Sequence, residues 1–545
     1  MKKLITLFML TAGMVFGSFT GAQAIDWKIR GAWYMEFGVY EGLTFMRETS
    51  RGSGKTQYGP GNKGPSGPAS GDTFNAAQRV DIWIDAVASE SLSASLRLEI
   101  GPHQWGWEGA GGTRTVGGAM GQRGVSVAVR YAFIDWFVPG TALSLRMGIQ
   151  PIVTPSYTFG ANVLGNDIAG ITASYKFNDN ISLTAFWARP FNNNYTESRH
   201  NGNPGNTWTT SFGEQNTLDN IDLFALLAPL SFNGFKATPW VMMGALGPNT
   251  FRSTYSARGR SVVHGMFPGH WQTSHKNNGF NDGYGASKQY ATAWWAGLTG
   301  EISAADPFRF AWDAVYGSVT RPDASHLNRR GWYINALAEY KLDWGVPGLY
   351  GWWGSGDDSN PKNGSERMPV FDIWLPPNNL STFGFTGYYR PYASPDGIFG
   401  LNAFAGTWGI GARIRDMSFL TDLRHTLRVN FFGGTNSPQM AKYILGKKTA
   451  GARGGFIDDF NSTGGLYLTT QDYGLELNLD SSYKIYENLE MIVSLGYIHL
   501  WLDQSRAVWG ADPHRGLAGA GNGAHTRGVS VTDALKAALY FQYSF

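Results

Sequence analysis

The chain contains no cysteine. Disulfide frameworks, thiolate metal sites and cysteine nucleophiles are therefore excluded. Long hydrophobic runs are missing too. After the first two dozen residues no stretch of 18 apolar residues occurs, and the longest, IDLFALLAPLSF (221–232), is interrupted by Asp222 and Pro229. No segment there can cross a membrane as a helix. Charge of one sign is not in excess: 44 Lys and Arg face 41 Asp and Glu. A general nucleic-acid binder would show a basic surplus. Apolar spacing of the helical kind does not recur either. H-E-x-x-H and G-x-S-x-G are absent, and the ten histidines, such as His103, His264, His270, His275 and His425, are scattered. These absences point away from an enzyme. The remaining enzymatic alternative is a barrel whose site assembles from distant strands.

Glycine and aromatics are abundant. Gly is 72 of 545 residues, with 21 Trp, 25 Tyr and 33 Phe, yet the mean hydropathy is slightly negative at -0.23. Such a chain fits poorly with a large water-excluded core. The first 24 residues, MKKLITLFMLTAGMVFGSFTGAQA, carry Lys2 and Lys3, an apolar stretch and a small-residue Ala22-Gln23-Ala24 end. That is the pattern of a cleaved secretory signal. It predicts a mature chain over 25–545, with the first strand beginning at Asp26 and no room for an N-terminal plug.

Period-two alternation carries the rest. SLRLEI sets Leu96, Leu98 and Ile100 against Arg97 and Glu99. LSLRMGI sets Leu143, Leu145, Met147 and Ile149 against Arg146, and LELNLD sets Leu475, Leu477 and Leu479 against Glu476 and Asp480. VSVAVRYAF places Val125, Val127, Val129, Tyr131 and Phe133 on one face and Arg130 on the other. One apolar and one polar face describe strands between two environments.

Connections alternate in length. Short turns are expected at 90–93, 138–141, 178–180, 232–234, 304–307, 345–348, 420–422 and 486–488, rich in Gly, Pro, Asn and Asp. Long polar segments separate these hairpins, near 52–72, 190–217, 246–289, 357–402, 435–467 and 503–527. That is the arithmetic of a transmembrane antiparallel β-barrel with short periplasmic turns and long extracellular loops. Eight hairpins plus one strand at each end give 18 strands, with 16 as the alternative if the segment 151–167 is miscounted. The chain ends AALYFQYSF. In a closed barrel Leu539, Phe541, Tyr543 and Phe545 face lipid.

The strand-and-loop patterns DIAGITASYKFNDNISLTAFWARPFNNNY (167–195), LDNIDLFALLAPL (218–230) and WGSGDDSN (353–360) make the chain resemble bacterial outer-membrane homotrimeric porins. The resemblance implies a trimer of water-filled channels in the outer membrane, passing small hydrophilic solutes and ions by passive diffusion without a cofactor. It implies recognition of the terminal Phe545 by barrel-assembly machinery. Sixteen-stranded porins fold a long third loop with an acidic tip into the lumen. Here the third loop, 151–166, is short and Asp167 lies at its edge, which leaves the constriction chemistry open.

Alternation also predicts the pore lining: Asp81, Asp85, Arg97, Glu99, Arg130, Arg146, Arg413, Arg415, Arg424 and Arg428. Arg97, Arg130 and Arg146 fall on three consecutive strands. Arg413, Arg415, Arg424 and Arg428 fall on two strands joined by one turn. They read either as positive ladders that favour anions or as polar lining neutralised by Asp81, Asp85 and Glu99. Trp-rich stretches at 293–298, 332–340 and 350–355 read as interfacial belts or as a sugar track, the runner-up being a sugar- or anion-selective channel. Asp357–Asp358 and Asp458–Asp459 lack an EF-hand pattern and read as solvated carboxylates rather than a calcium site.

Overall fold

A computed structural model of the chain describes residues 25–41, 46–48, 73–106, 118–120, 127–160, 163–192, 195–198, 209–212, 220–247, 265–266, 289–322, 325–373, 405–441, 468–503, 529–531 and 533–545. The expected signal segment, the long loop at 52–72 and the Asp458–Asp459 pair lie outside the described residues.

Eighteen strands run antiparallel in chain order. They are β1 Asp26–Glu41, β2 Thr73–Ser89, β3 Leu92–Gln104, β4 Val127–Phe137, β5 Leu143–Val153 and β6 Leu164–Lys176. Then come β7 Ser182–Asn192, β8 in two pieces (Asn220–Leu227 and Leu230–Phe232), β9 Phe235–Leu246, β10 Ala291–Ile302, β11 Phe308–Thr320 and β12 Arg329–Tyr340. The last six are β13 Val346–Gly354, β14 Thr407–Leu420, β15 Leu423–Gly434, β16 Tyr473–Tyr486, β17 Leu489–Trp501 and β18 Ala534–Ser544. Each pairs with its successor, and β18 pairs back onto β1 from Ala32↔Ser544 to Glu41↔Leu535. The barrel is closed with 18 strands, so no edge is left unpaired.

Turn positions follow the sequence with one shift. The hairpin expected at 345–348 turns at 341–345, closed by hydrogen bonds between Leu342 and Gly345, while Pro347 and Gly348 sit inside β13. Pro347 tolerates this because a strand residue needs its N–H only where the ladder asks for it.

The two faces of the wall differ. Along β12 buried and exposed residues alternate: Arg329, Tyr333, Leu337 and Glu339 are buried, whereas Trp332 and Ile334 are exposed. The exposed face is apolar around the barrel. Aromatic rings collect at two levels on it. Near the long-loop ends Trp294, Tyr316 and Trp332 touch in series at 5.1 and 4.7 Å, and Trp408, Phe431 and Tyr473 continue the belt at 5.8 and 6.2 Å. Near the turns Phe308 meets Tyr340 at 4.7 Å and Trp344 stacks on Phe419 at 5.9 Å. Two aromatic girdles bounding an apolar band are what a membrane's two interfaces select. No helix among the described residues is long and apolar enough to cross a membrane.

The C-terminal pattern is explained by register. Leu535 and Tyr543 are exposed, whereas Lys536, Ala538 and Tyr540 turn inward and are buried. Phe545 exchanges two backbone hydrogen bonds with Gly31, of 2.7 and 2.9 Å, and its ring lies against that glycine. A Cβ at Gly31 would stand 2.2 Å from the ring. Inside the wall, Gly297 and Gly409 similarly leave room for the rings of Trp240 and Trp352 from neighbouring strands. Part of the glycine excess thus exists so that aromatic rings can lie flat across the next strand.

Candidate channel lumen

Cross-strand partners share a face, so the register places the predicted lining residues together on the inner one. On β2 and β3, Asp81 pairs with Glu99, Trp83 with Arg97 and Asp85 with Ser95. On β14 and β15, Arg413 pairs with Arg428; Arg424 lies on the Arg428 face, exposed near the turn.

The VSVAVRYAF stretch departs from its simple alternation. Arg97 pairs with Tyr131 but Leu98 pairs with Val129, so Arg130 is the extra residue of a β-bulge. A bulge reverses the face of everything beyond it. Tyr131 and Phe133 therefore join Arg97 and Ser95 on the inner face instead of facing lipid with Val129. Phe133 is buried, with the Arg146 guanidinium 4.1 Å above its ring. Similar pairs hold Arg79 over Tyr34 and Arg97 over Trp83.

The arginines do not stand as free positive ladders. Arg97 donates to Asp81 at 2.8 Å, Arg130 to Asp167 at 2.8 Å and Glu99 at 3.3 Å, and Arg146 forks onto Asp135 at 2.7 and 2.9 Å. Arg79, which the alternation reading passed over, joins Asp81 at 3.0 Å and Glu99 at 3.7 Å. Asp85 accepts from Ser95 at 2.6 Å and lies 3.8 Å from Arg30. Across the lumen Glu339 is the shared acceptor of three cations: Arg309 at 2.9 Å, Arg413 at 2.8 Å and Arg415 at 2.7 Å. Arg309 also bonds Glu301 at 2.8 Å, which accepts from Lys236 at 3.0 Å, and Arg428 pairs with Asp480. Among the named arginines only Arg424 has no carboxylate partner among the described residues. Bidentate and shared contacts of this kind fix side chains in place and leave each wall a mosaic of both signs.

The lumen is also partly filled. The described residues of the short third loop, 154–160 and 163, fold inward. Ser156 Oγ and the Tyr157 N–H donate to Asp313 on β11 at 2.6 and 3.0 Å, and Thr158 Oγ1 donates to the same carboxylate. Arg309 reaches the Tyr157 carbonyl at 2.8 Å, and Phe159 packs edge-on against Tyr350 of β13 at 5.3 Å. The seventh loop leaves β13 and also enters the barrel. Arg329 binds the carbonyls of Arg367 and Met368 at 3.0 and 2.9 Å, and Trp295 Nε1 donates to Pro369 O at 2.8 Å. Phe371 N donates to Val163 O, and Asp372–Ile373 pair in parallel with Leu164–Gly165 of β6. On its way from β13 to β6 this limb touches Arg329 on β12 and Trp295 on β10, so it follows the inner wall over that arc.

Together Phe159, Val163, Met266, Met368, Val370 and Phe371 bury an apolar arc of the inner wall that includes Leu223, Met242, Trp295 and Val315. The water-facing arc is elsewhere, where the side chains of Arg30, Arg146 and Arg415 remain 67, 40 and 34% exposed. The Trp-rich stretches split between faces: Trp294 and Trp353 are exposed outward, whereas Trp295 and Trp352 are buried inward under the loops. Burial there leaves little ring surface for a sugar track.

Asp357 and Asp358 hold the base of the seventh loop. Ser365 Oγ donates to Asp357, Asn363 Nδ2 donates to Asp358 at 2.9 Å, and Asp358 N donates to Glu366 at 3.0 Å. Burial pushes the Glu366 carboxyl above its ordinary range, helped by the nearby Asp358 and Asp357. No group of three potential metal ligands occurs among the described residues.

No protein-family model matches the chain, and no curated protein sequence matches it. Solved structures similar in overall shape include Pseudomonas aeruginosa OpdL (10% identity, 95% of this chain and 99% of that one, TM-score 0.46). Others are Pseudomonas aeruginosa OprD (9% identity, 96% and 97%, TM-score 0.45) and Acinetobacter baumannii OccAB2 (10% identity, 95% and 98%, TM-score 0.43). At such identities and scores the barrel assignment rests on this chain's own strand pairing: the protein is a closed, 18-stranded antiparallel β-barrel.

Proposed function

We propose that the protein is a bacterial outer-membrane channel that passes small hydrophilic solutes and ions by passive diffusion. The observation that carries this reading is the two-sided wall. A closed barrel presents an apolar, twice-girdled face outward and a water-accessible mosaic of ion pairs inward. Asp81, Asp85, Glu99, Arg97, Arg130, Arg146, Arg413, Arg415, Arg424 and Arg428 line the aqueous arc in this reading. Pairing of most of these arginines with acids supports weak ion preference rather than a strong anion filter. No step of the proposed transport calls for a cofactor or catalysis.

A substrate-selective channel is the second reading, favoured by one feature: the loops narrow the lumen to one arc whose side chains are held by multiple bonds. A pre-organised constriction discriminates between solutes that a wide tube would pass alike. Assembly as a homotrimer, delivery by a cleaved signal and recognition of Phe545 by assembly machinery belong to the same proposal.

The test is single-channel recording of the refolded protein in a planar bilayer with a salt gradient. Linear conductance with a reversal potential near zero supports a diffusion pore. Closure in three equal steps supports the trimer, and single-step closure assigns one pore per particle. Block by a solute at low concentration selects the second reading. A folded barrel that conducts nothing overturns both.

A further inference from the structure

We propose that Asp313 is the latch that sets the bore of the channel, by holding the third loop across the lumen. This rests on the channel reading above. Asp313 is fully buried on the inner face of β11. No cation forms a salt bridge with it among the described residues. A buried carboxylate without an ionic partner must recover its lost hydration from hydrogen-bond donors. Three of those donors come from one short stretch of the third loop: Ser156 Oγ at 2.6 Å, Tyr157 N at 3.0 Å and Thr158 Oγ1. Ser156 Oγ also accepts from the N–H of Gly160 at 3.2 Å, so the loop is wound around its own anchor.

Neighbouring contacts depend on this one. Arg309 holds the Tyr157 carbonyl at 2.8 Å, and the Tyr157 hydroxyl lies 3.2 Å from Thr238 Oγ1. Phe159 then reaches Tyr350 on β13. Further along, Val163 accepts from Phe371 of the seventh loop. Two of these contacts are made by Tyr157, whose N–H Asp313 binds, and the others follow at Phe159 and Val163 farther along the loop. The third loop and Asp313 are also reciprocal: undocking would strip a buried carboxyl of the loop's three donors and require water to replace them. That coupling makes the docked state a defined two-state element. Asp313 is thus a positioning residue for permeation, acting through the loop rather than on the solute.

The experiment uses the absence of native cysteine. In Tyr157→Cys, the backbone donor and acceptor of the loop remain, and the thiol reports loop docking through its reaction with a water-soluble methanethiosulfonate. Adding Asp313→Ala should speed labelling by about tenfold or more, since the three hydrogen bonds lost together are worth at least that ratio. In bilayers Asp313→Ala should give larger and noisier unitary currents than the parent protein. The double variant Thr158→Cys/Asp313→Cys replaces the latch by a reducible bond. Its oxidised form should restore the parent current, and reduction should release it. Heat-shifted mobility on gels establishes that each variant is a folded barrel. A folded Asp313→Ala variant with unchanged labelling and unchanged current noise overturns the latch. Failure of the parent protein to conduct, with labelling still accelerated, overturns the channel reading while leaving the docking contact in place.

Discussion

Removing the charge of Glu339 while keeping its shape should shift the ion preference of the lumen toward anions. Glu339 is 3% exposed and compensates Arg309, Arg413 and Arg415 at once. In Glu339→Gln, Arg309 keeps Glu301 at 2.8 Å and Arg415 keeps Asp416 at 2.5 Å. Arg413, itself 7% exposed, loses the carboxylate it is paired with among the described residues, so most of the uncompensated charge sits there. One added positive charge about 10 Å from the permeation path contributes roughly 0.4 kcal/mol in water, which attracts anions and repels cations about twofold each. The unscreened permeability ratio therefore moves roughly fourfold. Salt shortens the reach of this field to about 10 Å at 0.1 M and about 3 Å at 1 M. Reversal potentials measured across a tenfold gradient at low salt should shift toward the anion potential, and the shift should vanish in molar salt. The same substitution breaks a buried ion pair, a change worth up to about 3–5 kcal/mol locally. The backbone ladder around the closed barrel should still carry folding. An unshifted reversal potential at low salt, in a folded variant, would refute the idea that this cluster faces the conducting path.

Other perturbations test the packing. Gly31→Val places a side chain where the Phe545 ring lies; refolding yield, read as the heat-shifted fraction on gels, should fall well below that of Gly31→Ala. Trp295→Ala removes a fully buried indole and its bond to Pro369, with an expected loss of about 3–5 kcal/mol in the local packing; the thermal unfolding midpoint should drop and the unitary current should rise as the seventh loop loosens. Glu366 has a carboxyl raised above its ordinary 4.5 by burial. Its folded form therefore binds more protons than its unfolded form, and its contribution to stability falls as pH rises from 4.5 through the raised value. Glu366→Gln should flatten that part of the pH profile of the unfolding midpoint and match or exceed the parent above it.

What was legible in the sequence was whatever repeats with period two or breaks at a turn. Leu96–Ile100, Leu143–Ile149 and Leu475–Leu479 read correctly because each strand separates lipid from lumen, and the alternation is the only pattern that satisfies both. The turns were legible because Gly, Pro, Asn and Asp report backbone geometry locally; the one shifted hairpin, at 341–345, moved because Pro347 and Gly348 look like a turn but sit in a strand. The alternation broke at Arg130. A bulge is a single extra residue set by how two strands pair, and Leu98 and Val129 carry no local mark of it. Yet that one residue turns Tyr131 and Phe133 inward and gives Arg146 its aromatic seat.

The filled lumen was less legible still, for a physical reason. A loop's path inside a barrel is decided by contacts between residues distant in sequence, such as Ser156 with Asp313 or Val163 with Phe371. Neither partner's neighbours reveal the other. The sequence left the constriction chemistry open, because the third loop at 151–166 is short. It does not act alone: the seventh loop leaves β13 and pairs with β6 at Leu164–Gly165. The third loop itself reaches β13 where Phe159 meets Tyr350, and the seventh loop packs beside it along the same arc of wall. If the two loops narrow the bore together, shortening the seventh loop's inward limb by deleting 368–371 should widen the pore as much as undocking the third loop does. Unitary currents of the two variants should then agree, and a deletion that leaves the current at the parent value would show that the third loop alone sets the bore.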